Sequence, residues 1–292
     1  MYKDSSGHEW RIAIITPAGR EEYLSFFKKH IYKEMEKGLV DEWQLWQNTI
    51  KESDIAYIAS MASENPKVVV HKLEEEIVPT WRNSDALMSY KFMKHTHDEN
   101  TIYIRLDDDI VWYEPGALEK IIFARIACPN AFAIYPNVIN STVLTSWHQE
   151  IGALGLEAGS VHKKSEAPDD PNWVYLHDFN YTDSKLIDLI HDTFEKRYKE
   201  KTLPAYYLPK RSFDDYQRFS ICVLAWWGKD KIEITASEEA QLAWEKPEEL
   251  QRPIFFVGDA LFVHYSYHTQ IKYLESEGHK HLEFYKKLSE KL

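Results

Sequence analysis

Three carboxylates in a row, Asp107-Asp108-Asp109, follow the apolar, β-prone run Ile102-Tyr103-Ile104-Arg105-Leu106. Adjacent carboxylates repel one another and a cation relieves the repulsion, so the cluster at a strand end reads as a cation site. Hard oxygen ligands of this kind suit Mg²⁺ or Mn²⁺, above all where a phosphate supplies further oxygens. A late apolar run, Ala260-Leu261-Phe262-Val263-His264-Tyr265-Ser266-Tyr267, ends in an imidazole, and His264 shares a strand face with Ala260, Phe262 and Ser266. A second acidic pair, Asp214-Asp215 in the segment 211–219, precedes another apolar run. A carboxylate held there could take a proton from an attacking hydroxyl, or it could sit at a helix N-terminus, where the dipole favours acids.

These residues need elements to position them, and the hydrophobic pattern supplies an alternating order. Arg11 to Ile15 is β-rich and runs into Thr16-Pro17-Ala18-Gly19-Arg20; a helical pattern follows, with Tyr23, Phe26, Phe27, His30 and Ile31 on one face. Trp43 to Trp46 suggests a second strand ending near Asn48, Asp54 to Ala62 a short helix, and Val68 to Val70 a third strand. Ser84 is placed to cap a helix through Lys94, the aspartate strand comes fourth, and Pro115 suits the first turn of a helix through Ile126. Ala131 to Tyr135 is a fifth strand. Strands alternating with helices predict a mainly parallel sheet with helices on both faces, and ligands in such sheets gather at the carboxyl ends of the strands. Thr16, Asn48 and the aspartates all fall at such ends.

The second half is less regular. Gly152 to Trp173 reads as a loop able to close over a bound molecule, Asp183 to Tyr198 as an amphipathic helix, and Ser220 to Trp227 as a buried helix or strand. Phe255 to Tyr267 is a late strand, and the stretch from Thr269 to Leu292 is helical. With 292 residues the chain suffices for one large α/β domain, divided at about residue 140 into 1–140 and 141–292. A net charge of −12 argues against a broad nucleic-acid footprint. The cysteines, Cys128 and Cys222, show neither metal-ligand spacing nor a disulfide framework. No apolar run has the length of a membrane span and the N-terminus lacks a signal-peptide pattern, so the expected setting is cytoplasmic.

The stretch from Arg105-Leu106-Asp107-Asp108-Asp109-Ile110-Val111 through Pro115-Gly116-Ala117-Leu118-Glu119-Lys120 resembles the DxD region of glycosyltransferases of the GT-A fold. The order of elements over residues 11–140 is similar to the nucleotide-binding half of that family. The resemblance implies a GT-A, Rossmann-like domain with an acceptor-binding C-terminal half. It implies a UDP-sugar or related nucleotide-sugar donor, a saccharide or glycan acceptor, and Mn²⁺ or Mg²⁺ as cofactor. Asp109 and Asp107 would serve the metal, with Asp107 also near the ribose and Asp108 alongside them but turned away or packed locally. His264 would add a further metal ligand. Thr16, Arg20 and Asn48 would line the donor pocket, and Asp215 or Asp214 would be the base of an inverting reaction. Trp147 and His148 would meet the donor sugar or acceptor, and Trp226 and Trp227 would offer it a stacking platform. Two alternatives stand beside this reading. A sugar-phosphate nucleotidyltransferase usually has a Gly-rich loop after its first strand, where this chain has one glycine, Gly19. A non-catalytic carbohydrate-binding protein on the same fold would show no metal dependence.

Overall fold

The computed structural model describes residues 1–72, 89–154, 184–213, 219–235, 238–267, 270–276 and 279–291. Ten strands occur among them: β1 Tyr2–Lys3, β2 Glu9–Ala18, β3 Glu42–Gln47, β4 Val68–His71, β5 Thr101–Leu106, β6 Ile110–Tyr113, β7 Ile134–Ile139, β8 Arg211–Phe213, β9 Val223–Trp227 and β10 Ile254–His264. They form one sheet in the order β4-β3-β2-β5-β9-β7-β10-β6, with β1 against β2 and β8 against β10. Six of the eight strands along that path run the same way. The exceptions are β9, antiparallel to β5 and β7, and β6, antiparallel to β10. The fold is therefore α/β with a mainly parallel central sheet.

The sheet also curls. β5 and β6 are four positions apart in the strand order, or about 19 Å at ordinary inter-strand spacing. The chain between Leu106 and Ile110 spans at most about 14 Å when extended. The edge carrying β6 must bend back over the carboxyl end of β5, and the aspartates bridge the gap. This is the first feature the sequence pattern missed: Ile110 to Tyr113 is a strand rather than a lead-in to the helix.

Helices α1 (Glu21–Glu36), α2 (Glu52–Glu64), α3 (Ala117–Ala127) and α4 (Thr142–Glu150) follow β2, β3, β6 and β7. α1 buries Tyr23, Leu24, Phe26, Phe27, His30 and Ile31, the face its spacing predicts. Near the expected Ser84–Lys94 helix, a 3₁₀ turn covers Ser89–His95, and the residues before it lie outside the described ones. α5 (Ser184–Glu200), α6 (Ile271–Ser276) and α7 (His279–Ser289) build a second apolar cluster. There Ile190, Phe194, Leu274 and Tyr285 pack with Val111, Ile139, Val263 and Tyr265 from the strands around β10. Within the stretch expected to be helical, Thr269 to Leu292, the described residues form α6 and α7. Most of the segment 152–173 lies outside the described residues.

Within Ser220 to Trp227, the residues Val223–Trp227 form a strand in the middle of the sheet, and this overturns the stacking-platform expectation. Trp226 is fully buried, stacks on Tyr103 at 5.8 Å and donates its indole N–H to Thr96 at 3.3 Å. Trp227 is 2% exposed and lies against Trp10. A tryptophan pair in a central strand has both sheet faces covered and presents no free ring to a sugar.

β10 is interrupted by a bulge between Val257 and Leu261. Gly258 sits within it, and a side chain there would meet the Leu208 carbonyl oxygen at 1.9 Å. Leu208 N–H donates to the Gly258 carbonyl at 3.1 Å, and Asn137 Nδ2 donates to the same oxygen at 2.9 Å. The bulge re-registers the upper part of β10, which ends at His264.

Candidate metal and nucleotide site

The aspartate turn is strapped to its surroundings by backbone bonds. Asp107 N–H donates to the Cys222 carbonyl at 2.9 Å, and Tyr265 N–H to the Asp109 carbonyl at 2.9 Å. The turn is thus pinned to the start of β9 and the end of β10. The three side chains diverge.

Asp108 is 4% exposed and serves the fold locally. Its Oδ2 accepts Gly19 N–H at 2.8 Å, while Oδ1 accepts Arg20 Nε at 2.8 Å and also Arg20 Nη2. Gly19 passes close to β3: a Cβ there would lie 3.0 Å from the Asn48 carbonyl oxygen. Asn48, half-buried, donates its backbone N–H to Ala18 at 2.7 Å, so the ends of β2 and β3 meet beside the aspartate turn.

Asp107 is partly exposed and accepts Arg105 Nε at 2.6 Å. Arg105 is itself buried and pairs on its other side with Glu238, 133 positions along the chain. Burial raises the Asp107 pKa; Arg105 opposes that, and the charge on Asp109 adds to it, leaving it above the ordinary carboxylate value.

Asp109 is 4% exposed, and its Oδ2 lies 3.0 Å from Arg20 Nη2 and 3.2 Å from His264 Nε2. Its Oδ1 is buried with no hydrogen-bond partner. Burial alone would raise this carboxyl, but Arg20 and His264 outweigh it and hold the group well below the usual range. His264 moves the other way: burial lowers it, Asp109 and Asp107 overcome that, and the imidazole sits above its ordinary value.

A residue unmarked by the sequence pattern orients His264. Its Nδ1 lies 3.2 Å from the Asn140 carbonyl oxygen, so Nδ1 carries the proton and Nε2 turns to Asp109. Asn140 has φ +61, a left-handed conformation that asparagine tolerates, and its Nδ2 donates to Tyr265 and Gln270.

These residues fit a divalent cation. A neutral imidazole whose Nδ1 is committed leaves a lone pair on Nε2, aimed at a carboxylate with a buried, unpaired oxygen. Only a proton or a cation makes that contact favourable. Counting Glu238, four carboxylates face two guanidiniums, an excess of two negative charges with His264 neutral. Among the described residues no group of three or more His, Cys, Asp or Glu side chains is arranged to hold a metal. Asp109 and His264 would supply two ligands. That number suits Mg²⁺ or Mn²⁺ completed by phosphate oxygens and water rather than an all-protein cage.

The other expected residues are placed as follows. Thr16 is fully buried, and its hydroxyl accepts the Trp43 indole N–H at 2.8 Å. Asp214 and Asp215 lie outside the described residues; the neighbouring Phe213 pairs with Ile254, at the opposite end of β10 from His264. His148 is 1% exposed and bonds Asn137 Oδ1 at 2.7 Å, which takes it out of contact with any ligand and corrects that expectation. Trp147 packs on Phe213 beneath Arg211 and lines a cavity of about 290 Å³ with Glu150, Ile151, Leu208 and Pro209. That cavity lies beside β8, away from the aspartates. No helix among the described residues is long and apolar enough to cross a membrane.

No family model and no curated protein matches the chain. Among solved structures it is similar to glucosyl-3-phosphoglycerate synthase from Mycobacterium tuberculosis in complex with Mn²⁺, UDP and glucosyl-3-phosphoglycerate, at 16% identity over 50% of each chain with a TM-score of 0.35. A second complex of that synthase, with Mn²⁺, UDP and phosphoglyceric acid, matches at 18% identity over 53% of each chain with a TM-score of 0.33. The chain thus spans about half the length of these synthase chains. CMP:2-keto-3-deoxy-manno-octonic acid synthetase complexed with CTP matches at 10% identity and a TM-score of 0.44, over 98% of this chain and 100% of the other.

Proposed function

We propose that the protein is a metal-dependent glycosyltransferase that moves a sugar from a nucleoside-diphosphate donor, a UDP-sugar in the first instance, to a hydroxyl of a saccharide acceptor. The observation that carries this reading is the pairing of Asp109, with its buried unpaired Oδ1, and His264, whose Nδ1 is committed to the Asn140 carbonyl. The pair sits at the carboxyl ends of β5 and β10, where open α/β sheets receive ligands.

A Mg²⁺ or Mn²⁺ ion bound there would neutralise charge building on the diphosphate leaving group. The chain's own residues do the rest. Asp109 and His264 hold the ion, Arg105 fixes one Asp107 oxygen so that the other can meet the ribose, and Arg20 offers a guanidinium edge to the diphosphate. Asn48, at the end of β3, lies on the nucleoside side of the site. In this reading Asp215, or Asp214 in its place, takes the acceptor proton and the anomeric centre inverts.

Calorimetric titration of UDP with and without Mn²⁺ tests the donor half. Binding that requires Mn²⁺ and is lost in Asp109→Asn is the expected result. Failure of UDP and of a panel of other nucleotides to bind in either condition would remove the basis of the proposal. A donor-hydrolysis screen across nucleotide-sugars, with the product anomer read by NMR, tests the reaction. Asp215→Asn should lower kcat while leaving the affinity for UDP and Mn²⁺ unchanged.

A further inference from the structure

Arg20 occupies an unusual position for a residue meant to greet a phosphate. Its Nε and Nη2 are both taken by Asp108, Nη2 also reaches Asp109 Oδ2 at 3.0 Å, and its guanidinium lies over the Tyr23 ring at 5.1 Å. Nη1 makes no hydrogen bond among the described residues, and the side chain is 34% exposed. The guanidinium therefore has one edge in the acidic turn and one edge open. It also shares Asp109 Oδ2 with His264, beside the unpaired Oδ1 that a metal would approach. A cation already seated beside that oxygen repels a second one, and a guanidinium does not lose its charge at any working pH.

We propose that Arg20 is a resident counter-cation that competes with the divalent metal for Asp109, and that a diphosphate relieves the competition by drawing the guanidinium onto its own oxygens. Metal and nucleotide then enter together: each alone binds weakly, and each strengthens the other by the same factor. The buried Oδ1 of Asp109, unpaired while Oδ2 is shared, is the position left for the incoming ion. Asp108 Oδ1, which accepts both Nε and Nη2, makes Arg20 a tethered rather than a free cation, because Gly19 N–H fixes the other Asp108 oxygen at 2.8 Å. The inference rests on the metal–nucleotide reading of the site, and it concerns order of binding rather than the reaction.

The test is a Mn²⁺ titration followed by electron paramagnetic resonance of the free ion, with and without UDP, on the wild-type protein, Arg20→Gln and Arg20→Lys. Arg20→Gln keeps a donor and an apolar stem over Tyr23 but removes the charge. Without nucleotide it should bind Mn²⁺ about tenfold to a hundredfold more tightly than wild type, the scale of one unit charge a few ångströms from a divalent cation with water-like screening. Arg20→Lys should stay near wild type. The enhancement of Mn²⁺ affinity by UDP should shrink in Arg20→Gln. Nucleotide-free Mn²⁺ binding in Arg20→Gln that is unchanged or weaker overturns the proposal. If that variant is unfolded at the assay temperature, the wild-type titration decides alone: a Mn²⁺ affinity unchanged by UDP overturns the competition. The nucleotide-free comparison stands apart from the transferase reading. Loss of UDP binding in the wild-type protein would overturn that reading, whereas an unresponsive Arg20→Gln overturns only the competition.

Discussion

Asp108 and Asp109 are adjacent, chemically identical and equally buried, yet their surroundings assign them different work. Replacing each by asparagine should therefore have opposite signatures. In Asp108→Asn the carboxylate loses its charge-assisted bonds to Arg20, and its new amide N–H₂ competes with Gly19 N–H for the same space. Breaking a buried ion pair costs about 3–5 kcal/mol and a charge-assisted bond about 1.5–3 kcal/mol. Arg20 is 34% exposed, so solvent recovers part of that, and about 2–3 kcal/mol is expected. At an unfolding entropy of about 2.1 cal/mol/K per residue, a chain of this length melts about 4 °C lower for such a loss. In Asp109→Asn the lost contacts are longer, at 3.0 and 3.2 Å, and the repulsion among three carboxylates falls, so Tm should move by less than about 2 °C. Mn²⁺-dependent UDP binding should instead vanish. Calorimetric melting and titration on the two variants decide the matter. Equal melting shifts, or a normal melt in Asp108→Asn with loss of Mn²⁺ binding, would refute the division of labour.

Three further outcomes follow from other parts of the molecule. His30, His148 and His191 are buried, and burial lowers them to about 4, about 3 and about 3, against 6.5 in an open chain. The unfolded chain thus binds more protons below pH 6.5, so stability from these groups is present above that pH and falls as the medium is acidified toward pH 3. With all three engaged the slope is about 4 kcal/mol per pH unit. The urea midpoint should drop between pH 6.5 and 4.5, and less steeply in His148→Gln; parallel slopes for both proteins would contradict the assignment. Gly258→Ala places a methyl 1.9 Å from the Leu208 carbonyl and should leave little soluble protein on expression, while Gly38→Ala, with nothing within 4 Å but φ +76, should cost only about 1 kcal/mol by chemical denaturation. Arg125, fully buried, donates to the carbonyls of Cys128, Ala131 and Phe132 at the turn into β7; in Arg125→Met the Cys128 carbonyl keeps the Ala131 N–H and the Ala131 carbonyl keeps Arg252, so the loss should cost about 1–3 kcal/mol in a urea titration.

Much of the architecture was written in local pattern. Alternating apolar runs and helical faces located β2 through β5, α1 and α3, and the strand ending in His264, because side-chain periodicity depends on neighbours a few residues away. The aspartates and His264 were legible as chemistry for a related reason: their residue types have few uses at the end of an apolar strand. The tertiary structure decided what each side chain does there. The Arg105–Glu238 pair, the orientation of His264 by Asn140 and the hold of Asp108 by Arg20 and Gly19 all join residues about 90 to 130 positions apart. Such contacts leave no mark in local spacing. The insertion of β9 against β5 and the return of β6 to the far edge are long-range pairings of the same kind, and the buried roles of Trp226 and Trp227 follow from them. Sequence alone determined that three carboxylates gather at a strand end. Only the curling of the sheet, forced by the short chain between β5 and β6, brought them against the end of β10 and separated the aspartate that holds the fold from the one that faces the imidazole.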